Sequence, residues 1–299
     1  VLHENSRYFL LHFAFGVLRR GEIIRNGVEG TRISGKGRRK QLFKEFSQEA
    51  LVWSQLEHPN VLPFLGTNMD LFPDTYCLVS PWCSHGNVMI YLSTHPEANK
   101  TGIILDILQG LEYLHTRNPP VVHGDLKGAN ILVSDLGQCC LADFGLAGMM
   151  STLQTPASTG HGTNGSIRWM APELFDYTTS SKLSTSTDMY SLGCTIITGS
   201  PPFSEVKPDI AVSIQVMHGF RPLRPVEGFS DRLWTAVERC WLAPDKRHTV
   251  KTFMVELSMQ EWTKRERNSD SRRLKPLRFF FFVVFLFIAL ILIWAGDPL

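Results

Sequence analysis

The chain has 299 residues, 43% hydrophobic and 19% charged, a balance that supports a large buried core and excludes a disordered or fibrous protein. With 30 Lys and Arg against 28 Asp and Glu, the formal net charge of +2 gives no global field to hold nucleic acid, so a basic-patch nucleic-acid binder is not expected. The six cysteines (Cys77, Cys83, Cys139, Cys140, Cys194, Cys240) show no C-x-x-C spacing and the first residues show no signal-peptide pattern. Neither a zinc module nor a secreted disulfide framework follows, and the thiols should be reduced. Val1 in place of Met points to a fragment or a processed start.

In chain order, Tyr8 to Leu18 is an apolar run of strand length. Arg19 to Lys40 is rich in Arg, Lys and Gly without apolar periodicity and reads as a loop or irregular insert. Within it, Gly30 to Gly37 nearly has phosphate-loop spacing, but its last position is Gly where a magnesium-binding Ser or Thr is needed, so no phosphate site is assigned there. A helix is predicted over Gln41 to Leu56, because Leu42, Phe43, Phe46, Ala50, Trp53 and Leu56 recur at three- and four-residue steps while Lys44, Glu45 and Gln48 fill the other face. His58, Pro59 and Asn60 stop it.

Tyr76 to Val79 reads as a strand, and Ile103 to His115 as a buried helix with Ile104, Ile107, Leu108, Leu111 and Leu114 inward. Val121-Val122, Ile131 to Val133 and Cys139 to Leu141 read as short strands beside polar turns. From Leu174 onward the pattern is mostly helical, broken at Gly199 to Pro202 and at Pro222 to Gly228. A polar basic linker leads to Phe279 to Ala295, a stretch with no charged residue that as a helix would reach about 25 Å, the short limit for a membrane span. Arg272, Arg273, Lys275 and Arg278 precede it and only Asp297 follows, the flanks of a tail anchor whose preceding domain faces the cytosol. The competing reading is a translated pyrimidine-rich non-coding stretch, which would leave a cytoplasmic protein.

The informative stretch is His123-Gly124-Asp125-Leu126-Lys127-Gly128-Ala129-Asn130, then Asp143-Phe144-Gly145 thirteen residues after Asn130, then Ala171-Pro172-Glu173. In this order and spacing the three resemble the catalytic loop, magnesium-binding turn and activation-segment end of the protein kinase family. Arg168-Trp169-Met170 looks like its tyrosine-kinase-like branch of serine/threonine kinases. The resemblance covers roughly residues 41 to 262 and implies ATP and Mg2+ as cofactors, a protein substrate, and transfer of the ATP γ-phosphate to Ser or Thr hydroxyls.

By this resemblance Asp125 is the carboxylate that takes or orients the acceptor proton, and Lys127 sets a positive charge near the transferred phosphoryl group. Asn130 and Asp143 are the magnesium ligands. Ser80 guards the back of the adenine pocket, with Trp82 and Cys83 in the hinge, Ala14 as roof and Leu132 as floor. Glu49 is the helix carboxylate expected to pair with a lysine. Glu173 and Arg247 should form a buried ion pair, and Asp188 should hold the catalytic loop by its backbone amides. Trp53, Phe64, His123 and Phe144 match the apolar column that links the lobes.

Two departures matter. Gly124 stands where many kinases carry an arginine that pairs with a phosphorylated activation segment, which implies activation without such phosphorylation. Gly16 stands where the family carries its nucleotide-binding lysine, leaving Glu49 without that partner, and no glycine-rich turn precedes it. Lys36, Lys40 and Lys44 are the nearby substitutes, the first two in the irregular insert and the third on an exposed helix face.

The expected fold is α+β, a two-lobed protein kinase fold. It comprises a truncated N-lobe over 1–82, a mainly helical C-lobe over 83–262, a basic linker over 263–278 and an apolar C-terminal helix over 279–295. The alternative function is a membrane-tethered pseudokinase acting as a binding module.

Overall fold

The computed structural model describes residues 8–12, 18–19, 22–23, 36–68, 77–143, 166–176, 182–195, 200–225 and 229–257. The chain divides into two units, Val1–Met254 and Val255–Leu299. All elements named below lie in the first; of the second, only 255–257 fall among the described residues.

A three-stranded antiparallel sheet places β5 (Cys77–Pro81) between β1 (Tyr8–His12) and β4 (Gly66–Asn68), with Phe9 opposite Ser80 and Thr67 opposite Leu78. Cys77, Leu78 and Ser80 of the central strand are buried. The strand ends at Pro81, which has no amide hydrogen to extend a ladder. Of the apolar run expected as one strand over Tyr8–Leu18, Tyr8–His12 is a strand, residues 13–17 lie outside the described residues, and Leu18–Arg19 (β2) pairs with Glu22–Ile23 (β3) in a short hairpin.

The span Arg19–Lys40 is therefore not simply a loop, and it also contains the start of α1 (Lys36–Trp53). Apolar periodicity detected only the part of that helix with a core-facing stripe. Arg38, Arg39, Lys40 and Gln41 extend it through helix propensity, which leaves no periodic mark. On α1, Phe46, Glu49 and Trp53 are buried, while Phe43 is 46% and Leu51 62% exposed, so the buried stripe is narrower than the run of apolar residues. The helix ends at Trp53, short of the expected Leu56. Its indole donates to the Leu62 carbonyl (2.6 Å) and turns the chain back.

Beyond the sheet, α2 (Val88–Thr94) is capped by Asn87, whose side-chain oxygen accepts from the Met89 and Ile90 amides. Asn99 caps α3 (Lys100–His115) in the same way through Gly102. All five residues expected to face inward on α3 are buried, with Leu108, Leu111 and Leu114 fully so. Val121-Val122 forms no strand; the Val121 amide returns to the Leu114 carbonyl (2.9 Å), and β-branched propensity finds no strand edge here to pair with. The hairpin of β6 (Ile131–Val133) and β7 (Cys139–Leu141) forms as expected, with Leu132 opposite Cys140.

Helices α4 (Thr185–Thr195), α5 (Asp209–Met217) and α6 (Asp231–Arg239) and a helical stretch over 250–254 complete the core around Tyr190, Met189, Leu192 and Phe253, all buried. All six cysteines are buried. Among the described residues no helix is long and apolar enough to cross a membrane. The apolar segment 279–295 and the linker 263–278 lie outside the described residues, so the fold is supported without its expected C-terminal helix.

Candidate active site

The site is built on the loop between α3 and β6. Asp188, at the start of α4 and 1% exposed, accepts from the His123 amide (2.7 Å), the Gly124 amide (2.8 Å) and His115 Nε2 (2.8 Å). A buried carboxylate with three donors is the arrangement that offsets its desolvation, and it fixes the backbone just before Asp125. Gly124 has φ +76°, a conformation that a side chain disfavours. His123 is fully buried, and that burial holds its pKa below the ordinary value, so the ring is neutral at physiological pH.

The loop then closes on itself. Lys127 Nζ donates to Asp125 Oδ2 at 2.7 Å, and Asn130 Nδ2 donates to Asp125 Oδ2 (3.0 Å) and to its backbone carbonyl (2.8 Å). A short 3-10 turn over Gly128–Asn130 brings Asn130 round. Gly128 is packed so closely on Met89 of α2 that a Cβ there would collide with the Met89 thioether. Lys127 Nζ also donates to Ser166 Oγ (2.8 Å), just ahead of the Ala171-Pro172-Glu173 motif. Sequence reasoning did not single out Ser166; its hydroxyl was visible, but nothing local marks the contact across 39 residues.

Asp143 follows β7 with φ +57°, unusual for a residue with a side chain. Although it keeps an exposed edge, its carboxyl lies deep in packed protein; that burial, and next the Asp125 carboxylate, raise its pKa to about 6, while Lys127 pulls the other way. Glu49 on α1 is drawn into the same field. Burial first and the Asp143 carboxylate second push it up to about 8, and among the described residues no Lys or Arg pairs with it. Lys44 is exposed, and Lys36 and Lys40 lie on α1, not in an irregular insert.

On the hinge side, Ser80 is fully buried, Cys83 is 8% exposed and Trp82 is half-buried. The chain after the hinge is stitched to β6, with Asn87 bridging Leu132 and the Val133 amide donating to the Gly86 carbonyl (2.8 Å). Leu132, Cys140 and Cys83 are thereby drawn together; the thiols of Cys83 and Cys140 are raised to about 11 and about 12 mainly by burial. Ala14 lies outside the described residues, as does Phe144. Trp53 and Phe64 of the expected apolar column are in ring contact, centroids 5.3 Å apart.

Farther out, Arg247 grips Glu173 through both carboxylate oxygens (2.5 and 2.8 Å), the expected ion pair. The residues fit a magnesium ion on two observations. The Asn130 amide group donates to Asp125 and leaves its oxygen without a hydrogen bond among the described residues, and the Asp143 and Glu49 carboxyls have pKa values raised by burial first and by a neighbouring carboxylate second. Oxygen donors in a field of excess negative charge suit a hard divalent cation.

A family model described as protein tyrosine and serine/threonine kinase matches residues 14–257. A probable serine/threonine-protein kinase, pats1, from Dictyostelium discoideum is 32% identical over 212 residues, 67% of this chain and 6% of the relative. Serine/threonine-protein kinase TNNI3K of Rattus norvegicus is 32% identical over 203 residues, 64% of this chain and 24% of the relative. The serine/threonine/tyrosine-protein kinase HT1 of Arabidopsis thaliana is 31% identical over 228 residues, 73% of this chain and 55% of the relative. The chain thus spans from 6% to about half of the length of these curated relatives. A family match over most of the length establishes that the chain belongs to the protein tyrosine and serine/threonine kinase family.

Proposed function

We propose that this protein transfers the γ-phosphate of ATP to Ser or Thr hydroxyls of protein substrates. The observation that carries the reading is the Asp125 carboxylate held between Lys127 and Asn130, with Asp143 close enough to feel its charge. Asp125 orients the acceptor hydroxyl and takes up its proton. Lys127, fixed between Asp125 and Ser166, presents a cation where negative charge develops on the transferred group. Asn130 and Asp143 would hold Mg2+, which when bound supplies charge neutralisation of the phosphates. Ser80, Trp82, Cys83 and Leu132 take the adenine side, and the small buried Ser80 leaves the back of that pocket open. Gly124 in place of a phosphate-pairing arginine supports transfer without prior phosphorylation of the activation segment.

A second reading, a pseudokinase tethered to a membrane and serving as a binding module, draws on Glu49, a buried carboxyl that feels the Asp143 charge with no cation on it among the described residues. The tether itself rests on the sequence of 279–295 and its basic flank, which set the kinase domain on the cytosolic side. The experiment is phosphotransfer from labelled Mg-ATP to dephosphorylated casein by the full chain and by its Asp125→Asn and Asp143→Asn variants. Transfer that falls at least 100-fold in both variants supports the kinase. An inactive wild type that still binds nucleotide supports the module, and activity that survives Asp125→Asn overturns the assignment of the base.

A further inference from the structure

Arg168 sits two residues past Ser166, is 12% exposed, and has an acceptor for each of its five N–H donors. Nε donates to Asp209 Oδ1 (2.8 Å), Nη1 to the carbonyls of Pro202 (3.2 Å) and Phe203 (2.6 Å), and Nη2 to those of Val206 (2.7 Å) and Lys207 (3.0 Å). Phe203 is buried and has φ +54°, a left-handed conformation that a side chain disfavours. The guanidinium therefore holds a loop in a shape it would not choose, and that loop leads directly into α5. Ser166 accepts from Lys127, and Lys127 donates to Asp125, so one line of polar contacts and backbone runs from the base through residues 166–168 to the 202–209 loop.

We propose that Arg168 is a positioning residue for the protein substrate. It locks the Ser166–Met170 segment and the 202–209 loop into one rigid wall beside the acceptor hydroxyl. The proposal rests on the kinase reading, because a polypeptide whose hydroxyl reaches Asp125 must run past the segment that begins at Ser166. Lysine cannot replace this fork: a single ammonium keeps the ion pair with Asp209 but cannot span four carbonyls.

The test uses the full chain with Arg168→Gln, Arg168→Lys and Asp209→Asn, and dephosphorylated casein as the substrate. Arg168→Gln should raise the KM for casein at least tenfold and leave the KM for ATP within twofold, with Arg168→Lys intermediate. Asp209→Asn, which keeps the four carbonyl contacts, should raise it less than threefold. Casein affinity by fluorescence anisotropy should follow the same order without turnover. In hydrogen exchange, amides of 166–170 and 202–217 should lose protection together by tenfold or more in Arg168→Gln, with α3 unchanged. Exchange that rises in 202–217 alone, or KM values for ATP and casein that rise equally, overturns the proposal. Casein affinities that follow this order across the wild type and the three variants, with no phosphate transferred by any of them, overturn the kinase reading and not the wall.

Discussion

Replacing Glu49 by Gln should make the protein more stable than the wild type at pH 8 and no more stable at pH 5. Glu49 is 6% exposed, and its burial, with the Asp143 carboxylate second, raises its pKa from 4.5 to about 8. Between those two values the folded state holds a proton that the unfolded state has released. Stability is therefore fully present below pH 4.5 and is lost as pH rises toward 8. A gap of about 3.5 units corresponds to about 5 kcal/mol at ~1.4 kcal/mol per unit, a large part of the stability of an ordinary domain. Glutamine keeps the shape and carries no charge, so it removes the slope. Urea unfolding followed by tryptophan fluorescence from pH 5 to pH 8 gives the comparison directly. The advantage of the variant should be near zero at pH 5 and grow by about 1 kcal/mol or more per pH unit above it. A difference that stays flat would refute the reasoning, and would mean that a cation reaches Glu49 in solution.

Other substitutions test the framework around the site. Asp188→Asn keeps the size but weakens three hydrogen bonds to a buried carboxylate; a loss of about 2–3 kcal/mol is expected in denaturant unfolding, with a parallel fall in phosphotransfer. Glu173→Gln leaves the Arg247 guanidinium, 1% exposed, without its carboxylate and should cost about 3–5 kcal/mol, whereas replacing both partners with apolar residues should cost less; a double-mutant cycle measures the difference. Gly124→Ala places a Cβ at φ +76° and should cost about 1–2 kcal/mol in thermal unfolding, and an unchanged midpoint would show that the loop relaxes.

What could be read from the sequence follows from the range of the interactions involved. The inward face of α3 and the β6–β7 hairpin are encoded by residues a few positions apart, and both appear where periodicity and turn residues put them. Asp125, Lys127 and Asn130 were legible because one short motif that carries the family resemblance contains all three, and Glu173 with Arg247 because the same likeness paired them across 74 residues. The start of α1 was not legible, since basic helix formers without an apolar stripe look the same as a polar loop. Ser166 was missed because its partner lies 39 residues away and any hydroxyl would look the same in sequence. Val121-Val122 failed in the opposite sense, a strand-like pair whose amide hydrogen bond goes to the end of a helix.

The turn after α1 has a mechanical consequence. Asn60 bonds the Cys139 carbonyl through its side chain and the Leu141 amide through its backbone, Leu62 donates back to the Leu141 carbonyl, and the Trp53 indole clamps Leu62. The heel of α1 is thus fastened to β7, two residues before Asp143, while its toe at Lys36 lies at the opposite end of the helix. Any swing of the helix must pivot about Trp53. At 1.5 Å per residue Glu49 sits about 6 Å from that pivot and Lys36 about 25 Å, so a tilt of about 10° displaces them by roughly 1 Å and 4 Å. The carboxyl that feels Asp143 is placed on the short arm of a lever, where large motions of the far end arrive attenuated.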